Sequence, residues 1–284
     1  METWKLENGF ELPKLGLGTW VIGGKREVDT SRDDEAIQSI RSALEMGYTH
    51  IDTAELYGAG HCEKLVGIAT RGLDRSKYCI ATKVTDYHLR ADDLIAAAKA
   101  SLKRLGSSYI DLYYIHAPNP NIPLKETMQA MNDLVEDGLV RAIGVSNFTV
   151  NLFEEAQSHS KCKIVANQVE YSLLTREEGK HTVRMESEML PFCQKNDVLL
   201  VAERPLERGV VLEKNDVMDE MADKYKKTYA QIALNWLISQ KNVCTIPMSQ
   251  NLAHLEENLG ALGWTMDPHD IERLRTEYPV KKAW

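Results

Sequence analysis

The stretch Ile110-Asp111-Leu112-Tyr113-Tyr114-Ile115-His116 decides the fold. It is apolar almost throughout instead of alternating, which suits a strand covered on both faces in a parallel sheet. It ends in a polar residue, His116, and Pro118 closes it off two residues later. Val198-Leu199-Leu200-Val201 has the same character. Working outward, short β-branched runs recur at Leu15 to Gly18, His50 to Asp52, Cys79 to Lys83, Ala142 to Ser146, Val165 to Glu170, Val198 to Ala202 and Val243 to Pro247. Between them, Asp33 to Met46, Ala91 to Leu105, Leu124 to Val135 and Thr228 to Ser239 carry apolar residues at helical spacing. Eight strands alternating with helices predict an α/β fold, a single closed (β/α)8 TIM barrel domain over residues 1–284 with a C-terminal helix. An open doubly wound sheet would not need eight units. Asn8-Gly9, between Trp4-Lys5-Leu6 and Phe10-Glu11-Leu12, predicts an N-terminal β-hairpin with a type I′ turn, placed as a lid.

Composition narrows the function. With 43% hydrophobic and 27% charged residues the chain can bury a large core. Its 34 basic against 42 acidic residues give a net charge of −8 with no basic block, so neither nucleic acid nor an anionic membrane is an expected partner. Five scattered cysteines without a Cys-x-x-Cys pair read as reduced thiols in a cytoplasmic protein, with no structural metal site. No basic-then-apolar leader and no membrane-length apolar run occur in the sequence, which reads as soluble and unprocessed. The two Gly-x-Gly spacings, Gly16-Leu17-Gly18 and Gly58-Ala59-Gly60, lack the third glycine of a Rossmann dinucleotide loop.

In a barrel, chemistry gathers at the C-terminal ends of the strands. Asp52, Lys83 and His116 each end an apolar run, and Tyr57 follows Asp52 in the loop before a helix. Each has an ordinary alternative: a helix cap, a solvated charge, a packing aromatic. Together they make a proton-transfer device. A phenol with a pKa of about 10 is a sluggish acid at neutral pH, and an adjacent ammonium lowers that pKa. A carboxylate keeps the lysine charged, and a histidine donates to a developing oxyanion. Such an acid suits carbonyl reduction.

Leu15-Gly16-Leu17-Gly18-Thr19-Trp20, Ile51-Asp52-Thr53-Ala54-Glu55-Leu56-Tyr57-Gly58, Thr82-Lys83-Val84, Asp111-Leu112-Tyr113-Tyr114-Ile115-His116, Gly144-Val145-Ser146-Asn147-Phe148 and Asn167-Gln168-Val169-Glu170-Tyr171 resemble, in order, the successive signatures of the aldo-keto reductase superfamily. The resemblance covers nearly the whole chain. It implies a barrel that binds an extended nicotinamide cofactor, with Tyr57 as general acid and base, Asp52 and Lys83 tuning it, and His116 orienting the carbonyl. The cofactor is expected to run past Gly18 and Thr19, with Ser146, Asn147 and Gln168 on the nicotinamide carboxamide; the alternative for those three is to tie down strand-end backbone.

Two segments depart from the pattern. In Val201-Ala202-Glu203-Arg204-Pro205-Leu206, Glu203 and Arg204 stand where many members have tyrosine, which stacks on the nicotinamide, and serine. Arg204 could reach the pyrophosphate or pair with Glu203; Leu206 is expected to line the cofactor. In Thr245-Ile246-Pro247-Met248-Ser249, Met248 replaces the usual lysine, and His254 replaces the usual arginine. Ser249 could still hold a 2′-phosphate. Glu257 and Asn258 are expected adenine contacts or else ordinary helix-surface residues. NADPH is therefore the expected cofactor, with NADH also used.

Trp20 is expected to wall the substrate pocket, its alternative being a core residue at the barrel bottom. Ala117 and the short tail to Trp284 predict an open pocket for a small aldehyde, ketone or alcohol. Two other functions compete with reversible NAD(P)H-dependent reduction. One is a metal-dependent barrel hydrolase or isomerase ligating through Asp52, His116, Glu170 and His50, which leaves Tyr57 and Lys83 unused. The other is a non-catalytic barrel that senses cofactor redox state.

Overall fold

The computed structural model describes residues 1–178 and 184–279. The tail to Trp284, and with it the expectation of a short C-terminal loop, lies outside the described residues. Strands β1 (Thr3–Lys5) and β2 (Glu11–Pro13) form an antiparallel hairpin. Strands β3 (Leu17–Gly18), β4 (His50–Asp52), β5 (Cys79–Val84), β6 (Ile110–Ile115), β7 (Val140–Ser146), β8 (Ile164–Glu170), β9 (Leu199–Glu203) and β10 (Val243–Thr245) lie parallel, neighbours in chain order. Gly16 N donates to Thr245 O at 2.8 Å and Thr245 N to Lys14 O at 2.8 Å. Leu15 thus pairs with Thr245 and Gly18 with Met248, which joins the first strand to the last and closes the (β/α)8 barrel.

The missing alternation in the strands has a simple cause. In β6, Leu112 and Tyr114 point into the barrel with Ala142, Ala166, Leu199 and Val201, while Tyr113 and Ile115 join the larger core beneath the helices. Both faces are dry. Helix Asp33–Met46 shows how the helices dock: Ala36, Ile40 and Ala43 are buried on one stripe, and Gly47 at φ 108° ends it. Helices Ala91–Leu105, Leu124–Glu136 and Tyr229–Ile238 match their predicted spans within a residue, the last begun by a Thr228–Gln231 capping box. The C-terminal helix is Pro268–Glu277. Among the described residues no helix is long and apolar enough to cross a membrane.

The hairpin differs from expectation in two ways. Only Gly9, at φ 88°, is left-handed, because Asn8 uses its side-chain oxygen to accept from Phe10 N at 3.1 Å. Gly9 N donates to Leu6 O, and Leu6 N to Phe10 O, making a longer turn with a bulge rather than type I′. The hairpin also covers the barrel floor, where Trp4 Nε1 donates to Val243 O at the start of β10, 2.8 Å away. It is not a lid over the mouth.

Gly18 is fixed by the closing seam: a Cβ there would stand 2.5 Å from Ile246 O. Gly18→Ala is expected to destabilise the protein by about 1–3 kcal/mol, read as a lower thermal midpoint. An unchanged midpoint would show that the seam has slack.

Candidate active site

Strand register assembles the site. Asp52 pairs with Ala81, and Lys83 follows on the same inward face of β5. Tyr57 opens the turn after β4, and His116 follows β6. Lys83 is fully buried and ion-pairs with Asp52, itself 1% exposed. Lys83 Nζ also donates to Thr53 O at 2.9 Å and to Tyr57 Oη at 3.5 Å. The Tyr57 ring meets His116 edge-on at 5.8 Å between centroids and Trp20 at 4.9 Å. The four expected proton-transfer residues are thus together, and Trp20 stands beside them rather than at the barrel bottom.

Backbone strain marks the same end of the barrel. Val21, Ala59, Asn147, Arg204, Glu207 and Arg208 all hold positive φ, in loops that leave the C-terminal ends of strands. Such conformations cost about 1–3 kcal/mol each in non-glycine residues and concentrate at functional sites.

The electrostatics correct one expectation. Burial, with Asp52 and Glu203 nearby, holds the Tyr57 phenol well above its ordinary pKa. The Lys83 charge is neutralised by Asp52, so the ammonium does not lower it on balance. The phenol is a protonated donor across the physiological range. Beneath it His50, fully buried with its ring against Gly16, is pushed down to about 4 by burial.

Several expected cofactor residues are engaged within the protein. Thr19 donates from N at 3.1 Å and Oγ1 at 2.8 Å to Asp52 O. Gln168 Nε2 donates to Asp52 Oδ2 at 2.8 Å, and Ser146 Oγ donates to Gln168 O at 2.9 Å. Asn147, at φ 64°, donates from Nδ2 to His116 O at 3.2 Å and to Ser146 Oγ at 3.1 Å. Its Oδ1 is buried with no partner among the described residues. That acceptor would take the NH2 of a carboxamide, so the residues present fit a nicotinamide.

Arg204 does not pair with Glu203: its guanidinium lies on Glu170, the residue in register with Glu203 on β8. Leu206 is half-buried in the strained loop after β9. Met248 is 40% exposed and His254 is exposed. Ser249 Oγ accepts from Asn251 N at 3.0 Å. Glu257 is half-buried, while Asn258 is buried on helix Leu252–Leu259, near the Tyr48 hydroxyl that donates to Leu255 O at 3.0 Å. Among the described residues no three His, Cys, Asp or Glu side chains could hold a metal ion. Asp52 and Glu170, two ligands of the metal reading, carry cations instead.

One residue the sequence reading passed over is Glu55. Its Oε1 accepts from Thr85 N at 2.7 Å and contacts His88 Nδ1 at 3.0 Å, tying the Tyr57 turn to the loop after β5. Its signal was a carboxylate two residues before Tyr57, inside a motif already in view.

A closed barrel with a buried carboxylate–ammonium pair under a phenol, an imidazole beside it and a carboxamide acceptor nearby defines a nicotinamide-dependent carbonyl reductase. The aldo/keto reductase family model matches residues 14–278. The methylglyoxal reductase YeaE of Escherichia coli (strain K12) is 34% identical over 96% of this chain and 93% of its own. The glyoxal reductase of Bacillus subtilis (strain 168) is 33% identical over 96% and 91%. A thermostable aldo-keto reductase crystallised with the inhibitor epalrestat is 45% identical, covering 97% of this chain and 99% of its own with a TM-score of 0.91. An aldo/keto reductase from Klebsiella pneumoniae in complex with NADP and acetate is 30% identical, covering 99% and 96% with a TM-score of 0.86. The chain belongs to the aldo/keto reductase family, and it is an oxidoreductase that reduces carbonyl groups with NADPH.

Proposed function

We propose that this single-domain barrel reduces small aldehydes of the 2-oxoaldehyde class, such as methylglyoxal and glyoxal, in the cytoplasm, with Tyr57 as the proton donor. The observation that carries the reading is the Lys83 ammonium 3.5 Å from Tyr57 Oη at the base of the mouth. NADPH, when bound, supplies the hydride to the carbonyl carbon. Tyr57 gives its proton to the carbonyl oxygen, His116 orients that oxygen, and Lys83 stabilises the phenolate left behind. Asp52 ion-pairs with the fully buried Lys83 and holds it in place beneath the phenol. Trp20 presents an apolar wall that suits a compact substrate. Loss of 340 nm absorbance from NADPH, measured across an aldehyde panel, tests the assignment. Methylglyoxal and glyoxal should give higher kcat/KM than propanal or butanal; the reverse order would move the substrate to simple or larger aldehydes.

Cofactor selectivity is expected to be weak. A charge-assisted hydrogen bond is worth about 1.5–3 kcal/mol, roughly 10- to 150-fold in affinity, and Met248 and His254 replace two cations that would supply such bonds. Ser249 and the amides opening helix Leu252–Leu259 remain for a 2′-phosphate. NADPH should be favoured over NADH by no more than about tenfold, and the Met248→Lys, His254→Arg double variant should move the ratio about tenfold or more toward NADPH. A wild-type preference beyond about a hundredfold, at one ionic strength, would place the phosphate clamp on other residues.

A further inference from the structure

Glu203 ends β9 at the rim of the mouth, half-buried, in register with Glu170 on β8. The next residue, Arg204, turns at φ 51° and directs its guanidinium to Glu170. Among the described residues no cation lies within ion-pair distance of the Glu203 carboxyl, and no side chain hydrogen-bonds it. Among the described residues the charged groups acting on it are Lys83 on β5 and Arg204, which favour its ionised form, and Glu170 on β8 and Asp52 on β4, which oppose it. The Tyr57 phenol feels it in turn. Lys83 and Arg204 are each already paired with another carboxylate. Among the described residues ionised Glu203 is therefore a negative charge without a paired cation, and burial pushes its carboxyl up to about 7.

Reduction delivers a hydride to the carbon and a proton to the oxygen of one carbonyl, so the hydride donor must lie against the Tyr57 phenol and hence within the field of Glu203. The donor ring is neutral when reduced and carries one positive charge when oxidised. We propose that Glu203 discriminates the redox state of the cofactor: as a carboxylate it holds the oxidised pyridinium form more tightly than the reduced form, and protonation removes the distinction. The inference rests on nicotinamide binding in this mouth. Its consequence is a pH-set bias, in which NADP+ retention grows as pH rises through the neutral range and NADPH competes better as pH falls.

The sign follows from linkage. A bound pyridinium lowers the carboxyl's pKa relative to the complex with the neutral ring, so deprotonation tightens the oxidised form selectively. If the two complexes differ by about one pKa unit, the affinity ratio changes about tenfold across the titration. The 2′-phosphate is common to both forms and cancels from the ratio.

Isothermal titration calorimetry of the full chain with NADP+ and with NADPH, without substrate, from pH 6 to 8.5 tests the proposal. The wild-type ratio Kd(NADPH)/Kd(NADP+) is expected to rise about tenfold over that range, and Glu203→Gln is expected to leave it flat. A flat wild-type ratio overturns the proposal without need of any variant. A rise that persists unchanged in Glu203→Gln also overturns it, because another group would then carry the effect. Failure of the wild type to bind either nucleotide overturns the cofactor reading beneath it as well.

Discussion

Tyr57→Phe is expected to lower carbonyl turnover by about 10²- to 10⁴-fold, the usual contribution of general acid catalysis, while NADPH binding stays near wild type. The ring's contacts survive the change: Trp20 and His116 both pack against the ring, and among the described residues only the Oη contact with Lys83 is lost. The deficit should appear in kcat with little change in KM, since the phenol acts on the transition state rather than on substrate binding. Steady-state kinetics beside a fluorescence titration of NADPH separates the two. Retention of more than about a tenth of wild-type turnover would remove Tyr57 from the proton-donor role.

Lys83→Met has two effects that arise from one buried pair. Asp52 has only 2% of its side chain exposed and is left without its cation. Removing one partner of a buried ion pair costs about 3–5 kcal/mol, so the thermal midpoint should fall. Turnover should fall nearly as far as in Tyr57→Phe, because the phenolate formed on proton transfer loses its stabilising ammonium. Adding Asp52→Asn to Lys83→Met should restore much of the stability, since no unpaired charge remains, but none of the turnover. The double variant is the discriminating readout. If its turnover returns together with its stability, Lys83 is a structural residue and does not act through Tyr57.

The barrel was legible because its signal is local. Each strand is a short apolar run, and each ends in a residue that a strand interior would not tolerate, as Asp52 and His116 show. The tetrad followed because strand ends in a barrel converge without further information. What the sequence could not display was pairing across elements. Arg204 sits beside Glu203 in the chain, yet the β8–β9 register brings Glu170 within its reach, and the left-handed turn at Arg204 aims it there. Gln168 was readable as a polar strand-end residue, but its bond to Asp52 spans 116 residues of chain. The Tyr57 pKa depends on pairing across elements in the same way. Lys83 raises no field alone when Asp52 cancels it, and burial then dominates. The hairpin turn failed on a smaller scale, where the Asn8 side chain displaced the backbone geometry that Asn-Gly usually adopts.

The central claim, that this mouth passes a hydride from the cofactor and a proton from Tyr57 to one carbonyl, is tested most directly by label transfer. Methylglyoxal is incubated in ordinary water with the enzyme and NADPH carrying deuterium at the transferable C4 position, and the product is read by NMR. One deuterium on the new carbinol carbon, with NADP+ formed in equal amount and both lost together in Tyr57→Phe, is the predicted result. Conversion of the aldehyde without label, as a hydrolase or isomerase would give, or tight NADPH binding with no conversion, as a redox-sensing barrel would give, would contradict the account.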